Sequence, residues 1–196
     1  MKNLGKFGMI LAKITEIGVW IGVVGMAVVF VLCLVKPAGF IQFADQELAA
    51  GEASISTLGL TIDNIPADPE SLVKVLLCFC PAAAILLSLL AMIFRNLYLI
   101  MKKLHVDKKE AFSEENSPFQ PDIIRMVREI GIFALSIPIV ELIANEVLFL
   151  AFRMMHLEAE LGGVSLTMVV FGLVVLYLSS IFSYGARLQQ ETEGLV

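Results

Sequence analysis

The chain is short of charge. Asp, Glu, Lys and Arg make up 17% of its 196 residues and hydrophobic residues 58%, where a soluble domain has about 25% charged and 45–50% apolar residues. The surplus apolar residues are gathered in long runs, which excludes an ordinary water-soluble globule and marks a membrane protein. The net charge of -5 says little about partners, because the charges on the two membrane faces differ. The chain is also short of groups that bind metals or cut bonds. Its three cysteines, Cys33, Cys78 and Cys80, all fall in apolar runs. Cys78-Phe79-Cys80-Pro81 is not a zinc spacing, so these read as small polarizable packing residues. His105 reads as a solvated loop residue, and no metal is assigned to His156 beside Glu158 and Glu160. There is no His-Glu-x-x-His, no pair of catalytic aspartates and no Gly-x-Ser-x-Gly. No catalytic residue and no cofactor are therefore assigned, and the chain reads as non-enzymatic. Lys102–Glu110, KKLHVDKKE, is near neutral and forms no polybasic run; direct nucleic-acid binding is not expected.

What is present is four apolar runs, at about 14–35, 71–94, 130–152 and 164–184. Each approximates the ~20 helical residues needed to cross ~30 Å of hydrocarbon. They are continuously apolar, whereas barrel strands would alternate in segments of about ten residues. The expected fold is an all-α membrane protein, a single integral membrane domain over residues 1–196. The run from Ile14 exceeds the ~7–15-residue core of a cleavable signal, so an uncleaved first span is expected. Lys2, Lys6, Lys13, Arg95, Lys102, Lys103, Lys108, Lys109, Arg125, Arg128 and Arg187 fall on one side, against Lys36, Lys74 and Arg153 on the other. The positive-inside rule then predicts an inner-membrane, multi-pass protein with both termini and loop 95–129 cytoplasmic.

The first span carries Gly18-x-x-x-Gly22 and then Gly25. This spacing opens a flat face for a neighbouring helix, either in the same chain or in a second copy as a homo-oligomer. In the outer loop, 36–70, Leu58, Leu60 and Ile62 alternate with Gly59, Thr61 and Asp63. That period of two predicts a short strand, half of a β-hairpin begun near Ser54. Pro81 in the second span predicts a kink.

Ser117–Arg153 is the stretch with the most pattern. Pro121 suits the first position of a helix, and Asp122 favours its dipole. Ile123, Ile124, Val127, Ile130 and Gly131 share a face, so an amphipathic lead-in at the cytoplasmic interface is expected. Further on, Pro138, Glu141 and Asn145 share a face, with Glu146 one step round and nearer the outer interface. Glu141 sits at the centre of its span, where a carboxyl costs roughly 2.5–3.5 kcal/mol on insertion scales. Lys74 and Lys36 are placed to reach Glu146 more readily. Glu141 is thus expected to be neutral or hydrogen-bonded inside the bundle, to a group such as Asn145 or Ser88. It reads either as a polar clasp or as a proton or ligand site. After Tyr184 the helix is expected to continue, with Leu188 and Leu195 docking on Ile123, Ile124 and Val127, and Glu191 and Glu193 approaching Arg125 and Arg128.

Two stretches, SPFQPDIIRMVREIG and YGARLQQETEGLV, resemble the cytoplasmic lead-in and the C-terminal ending of the bacterial domain-of-unknown-function 2975 family. Asp122 and Ile123 stand where that family often has an Asn. The resemblance implies four membrane helices. It also implies, by analogy, a regulatory or signalling role beside a cytoplasmic partner such as a small helix-turn-helix transcription regulator. Pro118, Phe119, Arg125, Arg128, Leu188, Glu191 and Leu195 are the expected partner-binding residues. The alternative is a small transporter or proton-coupled channel using Glu141, although the chain shows no internal repeat of the kind transporters use.

The charge count makes a direct test. In a cysteine-free background, Ala50→Cys should label from outside the cell. Glu110→Cys and Gln190→Cys should label only after permeabilisation; external labelling at 110 overturns the topology.

Overall fold

The structure is a computed structural model in which residues 2–36, 53–58, 60–65, 69–106, 120–155, 160–161 and 163–193 are described. Four helices dominate: α1 (Lys2–Val35), α2 (Pro69–Val106), α3 (Pro121–Met155) and α4 (Leu166–Glu193). All four are long and apolar enough to cross a membrane, which is compatible with a multi-pass membrane protein. They hold 34, 38, 35 and 28 residues, roughly 42–57 Å at 1.5 Å per residue, so each exceeds the hydrocarbon thickness.

The helices therefore outrun the apolar runs. α1 begins at Lys2 rather than near Ile14, and α4 begins at Leu166 rather than Val164 and reaches Glu193. The 95–129 connection is helical up to Val106 and again from Pro121. Hydropathy marks where side chains are apolar; the backbone ladder continues wherever the polar residues beyond also favour helix. At the start of α3 the Gln120 carbonyl accepts the N–H groups of Ile123 and Ile124, at 3.0 and 3.1 Å. Pro121 opens the helix, at a position where no intrahelical donor is needed. Helix α2 runs on through Pro81 and α3 through Pro138.

Three strands accompany the helices: β1 (Ala53–Thr57), β2 (Leu60–Ile65) and β3 (Glu160–Leu161), in the order β1-β2-β3. β1 and β2 are antiparallel, with Thr57 opposite Leu60 and an irregularity between Ala53 and Ile55. The expected hairpin is present, but Leu58 belongs to its turn rather than to a strand, with φ of 47°. Tight hairpin turns require positive φ, and a Leu there is uncommon. β3 adds a strand that the alternation did not reveal, pairing Leu161 with Ile62 and Glu160 with Asp63.

The chain divides into two compact units. One comprises Val19–Ser88 and Ile137–Leu166 and so holds the sheet. Its interior is Phe79, Leu86, Val75, Ile137, Leu148 and Ile62, with Cys33 and Cys80 buried and all three cysteines free.

The other unit comprises Met1–Gly18, Leu89–Ser136 and Thr167–Val196. Here α3 and α4 approach so closely that a side chain does not fit between them. A Cβ on Gly131 would lie 2.8 Å from Leu176 side-chain atoms and 3.1 Å from its backbone nitrogen. A Cβ on Gly172 would lie 2.7 Å from Leu135 and 3.1 Å from the Gly131 carbonyl oxygen. The glycines that the sequence pointed to behave differently. A Cβ on Gly18 or Gly25 meets nothing within 4 Å, and one on Gly22 meets only Leu87 at an ordinary 3.6 Å. Among the described residues, Gly18 and Gly25 face open space and Gly22 touches Leu87 without crowding.

These distances separate the two sets of glycines. Gly131→Ala and Gly172→Ala should each destabilise by about 1–3 kcal/mol through overpacking, read as a lowered unfolding midpoint in detergent. Gly25→Ala should not lower it.

Candidate functional site

In the unit that contains the sheet, Glu141 is fully buried, with 0% exposure. Its Oε2 accepts the backbone N–H of Ser165 at 2.8 Å. Ser165 is the residue before the first turn of α4, so a carboxyl from α3 meets the positive end of the α4 dipole. Oε1 is buried with no hydrogen-bond partner among the described residues. A buried acceptor left unmet costs about 1–3 kcal/mol. Ser88, the partner considered from the sequence, instead donates to the carbonyl of Ala84 in its own helix at 2.7 Å. Pro138 is buried and Asn145 half-buried, so their shared face turns inward, while Glu146 is exposed. Lys74 is committed within its own helix, to Glu70 at 2.8 Å, rather than to Glu146.

In the other unit, polar groups form three small clusters. Lys13 pairs with Glu16 at 2.9 Å and lies 4.9 Å from the centroid of the Tyr98 ring. Glu16 is only 7% exposed. It is a second interior acid that the sequence reading missed, and its signal was the Lys13 one turn before it. Asn96, also buried, donates from Nδ2 to Glu129 Oε2 at 3.1 Å, and Arg125 Nε donates to the other oxygen of Glu129 at 2.9 Å. Lys103 reaches Asp122 at 2.6 Å. The last two clusters border a cavity of about 490 Å³. A second cavity, of about 510 Å³, is bordered by Arg128 and Arg187.

The expected partner-binding residues are only partly brought together. Arg125 and Arg128 are exposed on α3. Leu188 is 45% exposed, so it is not the docked residue that the sequence predicts; Tyr184 and Arg187 are the α4 residues that share a cavity with Ile124 and Arg128. Tyr184 stands one turn before Leu188 on the same stripe, so α4 meets α3 one turn earlier than expected. Glu191 is exposed and makes no ion pair among the described residues, since Arg125 is taken by Glu129. Pro118, Phe119 and Leu195 lie outside the described residues, as do His156 and residues 37–52, 59 and 66–68 of the predicted outer loop.

Two substitutions separate the structural from the ionisable role of Glu141. Glu141→Gln keeps an oxygen for the Ser165 N–H and should leave stability within about 1 kcal/mol of wild type. Glu141→Leu orphans that N–H and should cost about 1–3 kcal/mol, seen as a lower unfolding midpoint in detergent. Equal loss in both variants would show that the charge itself, not the hydrogen bond, holds α4.

Compared with protein-family models, curated proteins and solved structures, the chain matches none.

Proposed function

We propose that this chain is a non-enzymatic protein of the bacterial inner membrane, with both termini cytoplasmic, that holds a cytoplasmic regulatory partner. One observation carries the reading. Beyond their apolar runs, α2, α3 and α4 continue as helix on the side that holds the Lys and Arg excess. Connections that merely joined spans would need no such extension. These extensions present the Lys103–Asp122 and Arg125–Glu129 pairs beside an open cavity, with Leu188 left 45% exposed. A small helix-turn-helix transcription regulator is the partner class suggested by the likeness of residues 117–131 and 184–196 to the domain-of-unknown-function 2975 family, to which we propose the chain is related.

A second reading has its own observation. The buried Oε1 of Glu141, with no partner among the described residues, favours a small transporter or proton-coupled channel. In that case Glu141→Gln should abolish proton flux into liposomes while the fold survives.

The partner reading is tested by crosslinking and pull-down from native membranes, with the full chain, a chain ending at Arg187, and Leu188→Ser. Capture of one cytoplasmic protein should fall by about tenfold or more without the tail and by less with Leu188→Ser. Undiminished capture by the truncated chain removes the tail from the interface.

A further inference from the structure

We propose that the cavity between α3 and α4 is a binding site for the phosphate of an anionic phospholipid headgroup. Arg128 and Arg187 supply two positive charges, and Ser179, Ser180, Ser183 and Tyr184 supply hydroxyls, around about 510 Å³. Among the described residues no Asp or Glu lines this cavity. Neither arginine makes an ion pair among the described residues, unlike Arg125, Lys103, Lys13 and Lys74. The other cavity holds both signs of charge: Asp122 and Glu129 are bonded to Lys103 and Arg125, which leaves Lys102 as its one cation outside an ion pair among the described residues, where this cavity has two arginines.

The hydroxyls fit the same ligand. Ser179 of α4 donates to the carbonyl of Ile124 of α3 at 3.3 Å, which links the two cavity walls, and Ser180 donates to that of Leu176 within α4 at 3.3 Å. Ser183 and Tyr184 make no hydrogen bond among the described residues, and their O–H groups remain to donate. Two guanidinium forks, which only donate, and two hydroxyls free to donate make a donor-rich cradle, which suits tetrahedral phosphate oxygens.

Position argues for a lipid source. Arg128 stands two residues before the apolar run that begins at Ile130, and Arg187 three residues after the run that ends at Tyr184. Both therefore lie at the polar edge of their spans, the depth of headgroup phosphates. Leu176 closes the apolar end, and Leu173, Tyr177 and Ile181 of α4 are exposed alongside, where acyl chains would lie. The inference needs the helices to lie in a bilayer; it does not depend on the cytoplasmic partner.

The test uses the full chain in neutral detergent and native mass spectrometry, with phosphatidylglycerol, phosphatidylcholine or inorganic phosphate as probes. Phosphatidylglycerol should bind roughly tenfold or more tightly than phosphatidylcholine, and each arginine replaced by Gln should weaken it by about tenfold. The double Arg128→Lys, Arg187→Lys variant should keep most of the preference, which guards against a folding defect in the Gln variants. Arg153→Gln, outside the cavity, should change nothing. If excess inorganic phosphate displaces the lipid fully, the phosphate site stands but its ligand is a soluble phosphate. If it does not, the headgroup is the ligand. No preference for phosphatidylglycerol, or a preference that survives Arg128→Gln with Arg187→Gln, overturns the proposal.

Discussion

Hydrocarbon offers a peptide backbone nothing to bond to. Each bare N–H or C=O there costs several kcal/mol, so the backbone must be satisfied within the protein. Much of this structure follows from that constraint. The helices run unbroken through Pro81 and Pro138, and serines inside them spend their hydroxyl protons on carbonyls four residues back, as Ser88 and Ser136 do. At the start of α4 the first N–H groups have no carbonyl in their own helix. There the chain brings in a carboxyl from another helix, Glu141 on Ser165.

A second consequence concerns what holds helices together. Lipid tails are as apolar as Leu, so burying apolar surface contributes little to helix association in a bilayer. Long stretches of exposed Ile, Val and Leu on α1 and α4 are what such a solvent permits. Association must come from close backbone approach and from paired polar groups. The unit that includes the N-terminal half of α1 shows both: Gly131 against Leu176 and Gly172 against Leu135, and Asn96 bonded to Glu129. Glu16 is tolerable in its interior because Lys13 neutralises it one turn away and lies against Tyr98.

Different physical signals were legible to different degrees. The four crossings were readable because twenty apolar residues in a row have few other uses. The hairpin was readable from the alternation around Ile62, and the start of α3 from Pro121 and Asp122. Partners distant in sequence were not readable. Nothing local to Gly131 or Gly172 marks them as a contact, whereas Gly18, Gly22 and Gly25 carry the familiar spacing yet none is closely packed among the described residues. Glu141 could be placed at depth by counting, but its partner is a main-chain N–H, and every residue has one. β3 is two residues long, too short to show any periodicity. Leu188 was misplaced by one turn, because a stripe drawn on a helix does not say how far along it the neighbour reaches.

The short sheet also sets an order of events. β2 and β3 are paired residue to residue, Ile62 with Leu161 and Asp63 with Glu160, although they lie about a hundred residues apart. Their pairing brings together the segment that precedes α2 and the one that follows α3, so in a bilayer both would lie on one side. The ribosome must also have made all of α3 before β3 exists. Until then the β1–β2 hairpin waits with one edge bare, and the strand that covers it arrives just before α4. Closure of the sheet thus waits on the synthesis of two whole helices.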